Sequence, residues 1–177
     1  MNQIDRYTLL EQFHKEPYQT IHMAIHKEKE QEVALVNRID RNGPISEETF
    51  QMLVRHLGNI TYYDHTDCFT MITTYNEGMP LNNYLQKMNP SDEARLQLLS
   101  DILRGFSDYD TLPNAFKSAL MDSHQIVVNK ANVYMNEVIF LKHLNAPLDF
   151  HYKIKEIADL LFSYNASPIG KHLLTFF

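Results

Sequence analysis

The stretch that most limits what this chain can fold into is Ile60 to Leu85, ITYYDHTDCFTMITTYNEGMPLNNYL. Its two apolar runs, Ile60 to Tyr63 and Cys68 to Tyr75, are rich in the β-branched and aromatic residues that fit a pleated surface. Asp64-His65-Thr66-Asp67 between them is turn chemistry, so the segment reads as a hairpin. Asn76 to Pro80 follows, with Gly78 free to take positive φ and Pro80 suited to a first helical turn. Leu81, Tyr84, Leu85 and Met88 then recur on one helical face. A strand therefore passes through a short connector into a helix.

The residues before this stretch read as strands and one helix. Tyr7 to Phe13 is a short apolar-patterned segment, and Tyr18 to Ile25 alternates, with Ile21, Met23 and Ile25 on one clearly apolar face. The charged Lys27 to Glu32 reads as a solvated hairpin connection, and Val33 to Ile39 as a third strand. Asn42-Gly43-Pro44 breaks the chain, and Ser46 can cap a helix whose stripe is Phe50, Leu53, Val54 and Leu57, with Thr49 where a capping box prefers an acid or amide. Gly58-Asn59 ends it.

After Leu85 the pattern turns helical. Ala94, Leu96, Leu98, Leu99, Ile102, Leu103 and Phe106 build an apolar helix opened by Asn89-Pro90-Ser91. Ala115 to Met121 is a further short helix, and Ile126-Val127-Val128 with Val133-Tyr134-Met135 a second small hairpin. Tyr152 to Phe162 and Ile169 to Phe177 close the chain as helices.

Composition narrows the functional classes. A net charge of −6 without any basic run argues against nucleic acid or an anionic membrane surface as partner. One cysteine, Cys68, has no partner in the chain for a disulfide, which fits a cytoplasmic setting. No window approaches the roughly 18 apolar residues of a membrane span, and the N-terminus lacks the pattern of a signal peptide.

The element order resembles the protein kinase fold. Val33-Ala34-Leu35-Val36 looks like the strand whose V-A-I-K signature carries the phosphate-binding lysine. Glu47 to Ile60, ending Leu57-Gly58-Asn59-Ile60, is similar to the helix of the partner glutamate. Met71 to Leu85 looks like the hinge and the helix after it, which sets Thr73 at the gatekeeper and Tyr75 to Gly78 in the hinge. The resemblance implies a two-lobed, kinase-like α+β fold. Residues 1–75 would form an N-lobe antiparallel sheet of about five strands plus one helix, 76–80 the hinge, and 81–177 a reduced, mainly helical C-lobe with a small hairpin.

The resemblance also implies where reacting groups should stand, and they are missing. Phe13 to Gln19, at the glycine-rich loop, holds no glycine. Val36 falls at the lysine position and cannot pair with a helix glutamate such as Glu48. Leu120 falls at the catalytic aspartate and Gln125 at the metal-binding asparagine, with Asp122 offset by two positions. Asn136-Glu137-Val138 replaces D-F-G, and no A-P-E follows. The pattern resembles a degenerate, shortened, bacterial pseudokinase-like domain.

Other groups carry weaker readings. His22 and His26 share the i, i+4 spacing of a helical metal site, but in a strand their rings lie far apart, and packing explains them. His65 and Cys68 flank a turn without two further ligands, and nothing around Cys68 would activate it as a nucleophile. Tyr62, Tyr63 and Tyr75 fit a core or a partner-binding patch, whereas Glu47-Glu48 and the Asp108, Asp110 pair fit a helix start and a loop.

The sequence thus favours a non-catalytic interaction or regulatory module contacting an unidentified protein partner, with Thr73, Tyr75, Glu77 and Gly78 as hinge and possible contact residues. No cofactor, metal, nucleic acid or membrane association within this chain is expected. One alternative is a divergent, nucleotide-binding, kinase-like phosphotransferase using Asp122 or Glu137; another is an unrelated α+β scaffold protein.

Overall fold

The computed structural model describes residues 3–64, 66–144 and 150–162, apart from the side chains of Gln3 and Glu30. The chain divides into two compact units, Met1–Glu77 and Gly78–Phe177. His65 and the expected helix Ile169 to Phe177 lie outside the described residues.

The first unit is an antiparallel sheet of β1 (Tyr7–Glu16), β2 (Gln19–His26), β3 (Lys29–Ile39), β4 (Ile60–Asp64) and β5 (Phe69–Thr74), in the order β1-β2-β3-β5-β4. Helix α1 (Glu47–His56) connects β3 to β4. Ser46 caps α1 by accepting from Thr49 N at 3.2 Å, and its hydroxyl lies 2.9 Å from that of Thr49, which stands where a capping box prefers an acid or amide. Two expectations are corrected. Lys29 to Glu32 belongs to β3, because only Lys27 and Glu28 make the turn and His26 pairs with Lys29. β1 also runs past Phe13 to Glu16, leaving Pro17 and Tyr18 as the turn before β2.

Both faces of this sheet are covered, and the register assigns each residue to one of them. Phe50 of α1 stacks on Phe69 (centroids 4.8 Å apart) and meets Tyr63 edge-on at 6.3 Å. Phe69 pairs with Ile39, Met71 with Asn37 and Thr73 with Leu35, so these share the α1 face. Ala24, Ala34, Val36 and Ile72 form a buried cluster with Ile4, Tyr7 and Tyr62 packed on it. That cluster is the opposite face.

The second unit holds α2 (Leu81–Met88), α3 (Asp92–Ser107), α4 (Asn114–Leu120) and α5 (Phe150–Phe162) beside a three-stranded sheet of β6 (Met79–Pro80), β7 (Ile126–Asn129) and β8 (Asn132–Met135). Ser91 caps α3 through Ala94 N at 3.3 Å, and Asn89 ends α2 in the left-handed region at φ 39°. The sequence pattern shows β7 and β8 but not β6, whose Met79 and Pro80 pair with Val128 and Val127. The five-stranded sheet, its helix and the smaller helical part make this an α+β, kinase-like fold.

Candidate functional site

In the first unit the site begins with the central strands. A lysine that pairs with a glutamate of the packed helix must point to the face that helix covers. Val36 is 0 % exposed and lies on the other face, in the cluster with Ala24 and Ile72. The residue that the resemblance sets at the lysine position therefore does not face α1. On the α1 face, two residues beyond the Leu35 that pairs with Thr73, stands Asn37. It is buried and accepts from the Gln19 side-chain amide at 2.9 Å. Asn37 and Gln19 escaped the sequence reading, although a polar residue ending the apolar run Val33 to Val36 marks the position.

Glu48 is exposed, as is Glu47, which reaches Arg41 at 3.5 Å. Amphipathicity turns the helix this way, since Phe50 and Leu53 take the buried face. Where a glycine-rich loop would be, the chain is a tight turn at Pro17 and Tyr18 closing Glu16 against Gln19. Phe13 sits edge-on to Tyr75 at 6.2 Å.

The connector residues split between roles. Thr73 is buried in β5, between Leu35 and Ile60. The Tyr75 amide donates to Val33 O at 3.0 Å, prolonging the β3 to β5 pairing, and Glu77 is exposed. Gly78 does not use positive φ, contrary to expectation. Its need is space: a Cβ there would meet Val128 O at 3.1 Å and the Val127 Cβ at 3.2 Å.

In the second unit, α4 carries Leu120 into the core at 0 % exposure. Gln125, 4 % exposed, is held twice by the backbone of one residue: its Nε2 donates to Val138 O at 2.7 Å and its Oε1 accepts from Val138 N at 2.9 Å. A further bond reaches Ala119 O at 3.3 Å. These bonds tie the loop before β7 to the segment after β8.

Asp122 lies between these two positions. Its carboxylate accepts from His124 N at 2.9 Å and lies 2.6 Å from His124 Nδ1, with Lys153 Nζ of α5 at 3.7 Å. Partial burial opposes its charge, but the His124 hydrogen bonds and the nearby lysine outweigh it and hold the carboxyl below its ordinary value. Glu137, at φ 51°, accepts from the buried Tyr109 hydroxyl at 3.0 Å. Burial, reinforced by that carboxylate, pushes the Tyr109 phenol far above its usual range.

Cys68 Sγ lies 3.3 Å from the Thr70 hydroxyl. Tyr62 packs on the Val36 cluster, and Tyr63 is exposed beside Phe50. No three His, Cys, Asp or Glu side chains gather as metal ligands among the described residues. No helix among them is long and apolar enough to cross a membrane.

The described residues form a kinase-like fold in which Val36 and Leu120 are apolar and buried and Asn37 and Gln125 are buried amides held in hydrogen bonds. Comparison with solved structures agrees on the fold. The chain is similar to Rad53 in complex with AMP-PNP, with a TM-score of 0.60 at 10 % identity, over 96 % of this chain and 53 % of that one. It thus spans about half the length of that kinase structure. No family model and no curated protein matches it.

Proposed function

We propose that this chain is a non-catalytic, pseudokinase-like module of the bacterial kind, acting in the cytoplasm as a protein-interaction or regulatory domain. The observation that carries the reading is Gln125. The side chain that the resemblance sets at the metal-binding position spends its carbonyl and amide on the N–H and C=O of Val138, so reaching a metal ion would break buried hydrogen bonds. Leu120 beside it offers no carboxylate, and Asn37 offers an amide where a cation should meet phosphate. AMP-PNP belongs to the Rad53 complex; the likeness supports the frame alone. Incubation with labelled ATP and Mg²⁺ should give no phosphate transfer above background. Reproducible transfer lost on Asp122→Asn or Glu137→Gln would overturn the proposal.

One observation favours a phosphotransferase instead: the Asp122 carboxylate is kept ionised beside Lys153, close to where a catalytic loop would lie. That reading requires nucleotide binding, which at about a hundred times Kd stabilises a protein by about 2.7 kcal/mol. An unchanged melting temperature with ATP, ADP and GTP, in Mg²⁺ or Mn²⁺, removes it.

A further inference from the structure

We propose that β1 is a self-association edge, on which two copies of this chain meet antiparallel about a two-fold axis at Phe13. Among the described residues β1 pairs only with β2, so its other side is a sheet edge there. It is apolar for an edge: Leu9, Leu10 and Phe13 are 44 %, 54 % and 41 % exposed. Long edges of this composition are templates for another strand unless something blocks them.

The edge is irregular in a way that selects its partner. Leu9 pairs with Ala24, Gln12 with His22 and His14 with Ile21. Leu10 and Glu11 therefore face Met23, and the register steps past Phe13 between Gln12 and His14. Such extra residues bend a strand and deter an ordinary regular one. A second copy carries the same bends at the same places, and a two-fold axis at Phe13 brings the bend there against itself.

Charge fixes the register. Centring the antiparallel pair on Glu11 sets that carboxylate against its own copy, and centring it on Gln12 sets Glu11 against Phe13. Centring it on Phe13 opposes Glu11 to Lys15 twice, with the two phenyl rings adjacent. Glu11 and Lys15 are both exposed, and neither has an ion-pair partner among the described residues. Within one strand they stand four residues apart, too far to pair with each other.

The proposal gives the interaction reading a partner, yet its test is separate from phosphate transfer. Sedimentation equilibrium of the full chain should show a mass rising from one chain to two with concentration. Glu11→Lys or Lys15→Glu alone places like charges opposite each other at two points and should weaken dimerisation about tenfold or more. The double variant should restore it, and mixing the two single variants should give a heterodimer tighter than either homodimer. Circular dichroism of each variant reports whether the fold is kept. A wild-type chain that stays monomeric overturns the proposal, as does a dimer indifferent to the swaps or unrescued by the double variant. A monomer without kinase activity refutes this inference alone, and a dimer that transfers phosphate refutes the other reading alone.

Discussion

Arg95 is the side chain whose replacement should cost the second unit most. It is 1 % exposed, and no carboxylate pairs with it among the described residues. Its guanidinium instead gathers oxygens: Nε donates to Pro90 O at 2.9 Å, one terminal nitrogen to Asn89 Oδ1 at 3.1 Å, and the other to Leu161 O. Leu161 lies in the last turn of α5, which has no basic residue of its own there, so Arg95 supplies the cation at that helix end. The same side chain holds the left-handed C-cap Asn89 of α2.

The magnitude follows from what each replacement leaves behind. Arg95→Ala strands the Leu161 carbonyl, at about 1–3 kcal/mol, and removes the buried stem, at about 0.8 kcal/mol per methylene. Pro90 and Asn89 are less buried, and water can reach them. Relief of the desolvated charge offsets part of the loss, leaving about 3 kcal/mol. For a unit of this size that lowers Tm by about 10 °C or more. Arg95→Met keeps the stem and should lose about 1–2 kcal/mol, isolating the polar contribution. Far-UV circular dichroism melts of the three proteins measure the series. An Arg95→Met variant as stable as wild type would refute the reasoning, because burying the charge would then cost as much as its hydrogen bonds return.

Other substitutions test local arguments. Ser46→Ala removes the α1 cap and should cost about 1 kcal/mol in urea titrations; an unchanged midpoint would mean that Thr49 or water replaces it. Gly78→Ala forces a methyl against β7 and should cost about 1–3 kcal/mol, and a neutral result would show that the β6 to β7 contact gives way freely. The carboxyl of Asp122 is held low in the folded chain, so its contribution is present above the ordinary carboxylate value and lost as pH falls through the folded one. Asp122→Asn should therefore be less stable than wild type near neutrality and converge with it in acid; a gap that persists unchanged in acid would contradict the charge argument.

The strands and helices that carry their own periodicity were legible: the hairpin β4 to β5, the capped helices α1 and α3, and β7 with β8. What escaped depends on neighbours. Lys29 to Glu32 looks like solvated connection until β2 draws it into the sheet through the His26 to Lys29 pair. Met79 and Pro80 are too few to show a period and are strand only because β7 lies beside them. Motif alignment placed Val36 where a cation would stand, yet strand alternation sends that residue to the face away from α1.

The same alternation restores a testable position. If the frame is kinase-like and Thr73 is its gatekeeper, the residue two beyond its partner Leu35 is Asn37, already buried and bonded to Gln19. The two amides bond to each other, so Asn37 brings no charge to the α1 face, and Glu48 lies in solvent. Replacing Asn37 by Lys would bury a cation beside the Gln19 amide while Glu47 and Glu48 of α1 both lie in solvent, so the variant should lose stability rather than gain nucleotide binding. A stable Asn37→Lys protein that binds ATP would mean that α1 can rotate to bring Glu48 inward, and that only one side chain separates this frame from a phosphate site.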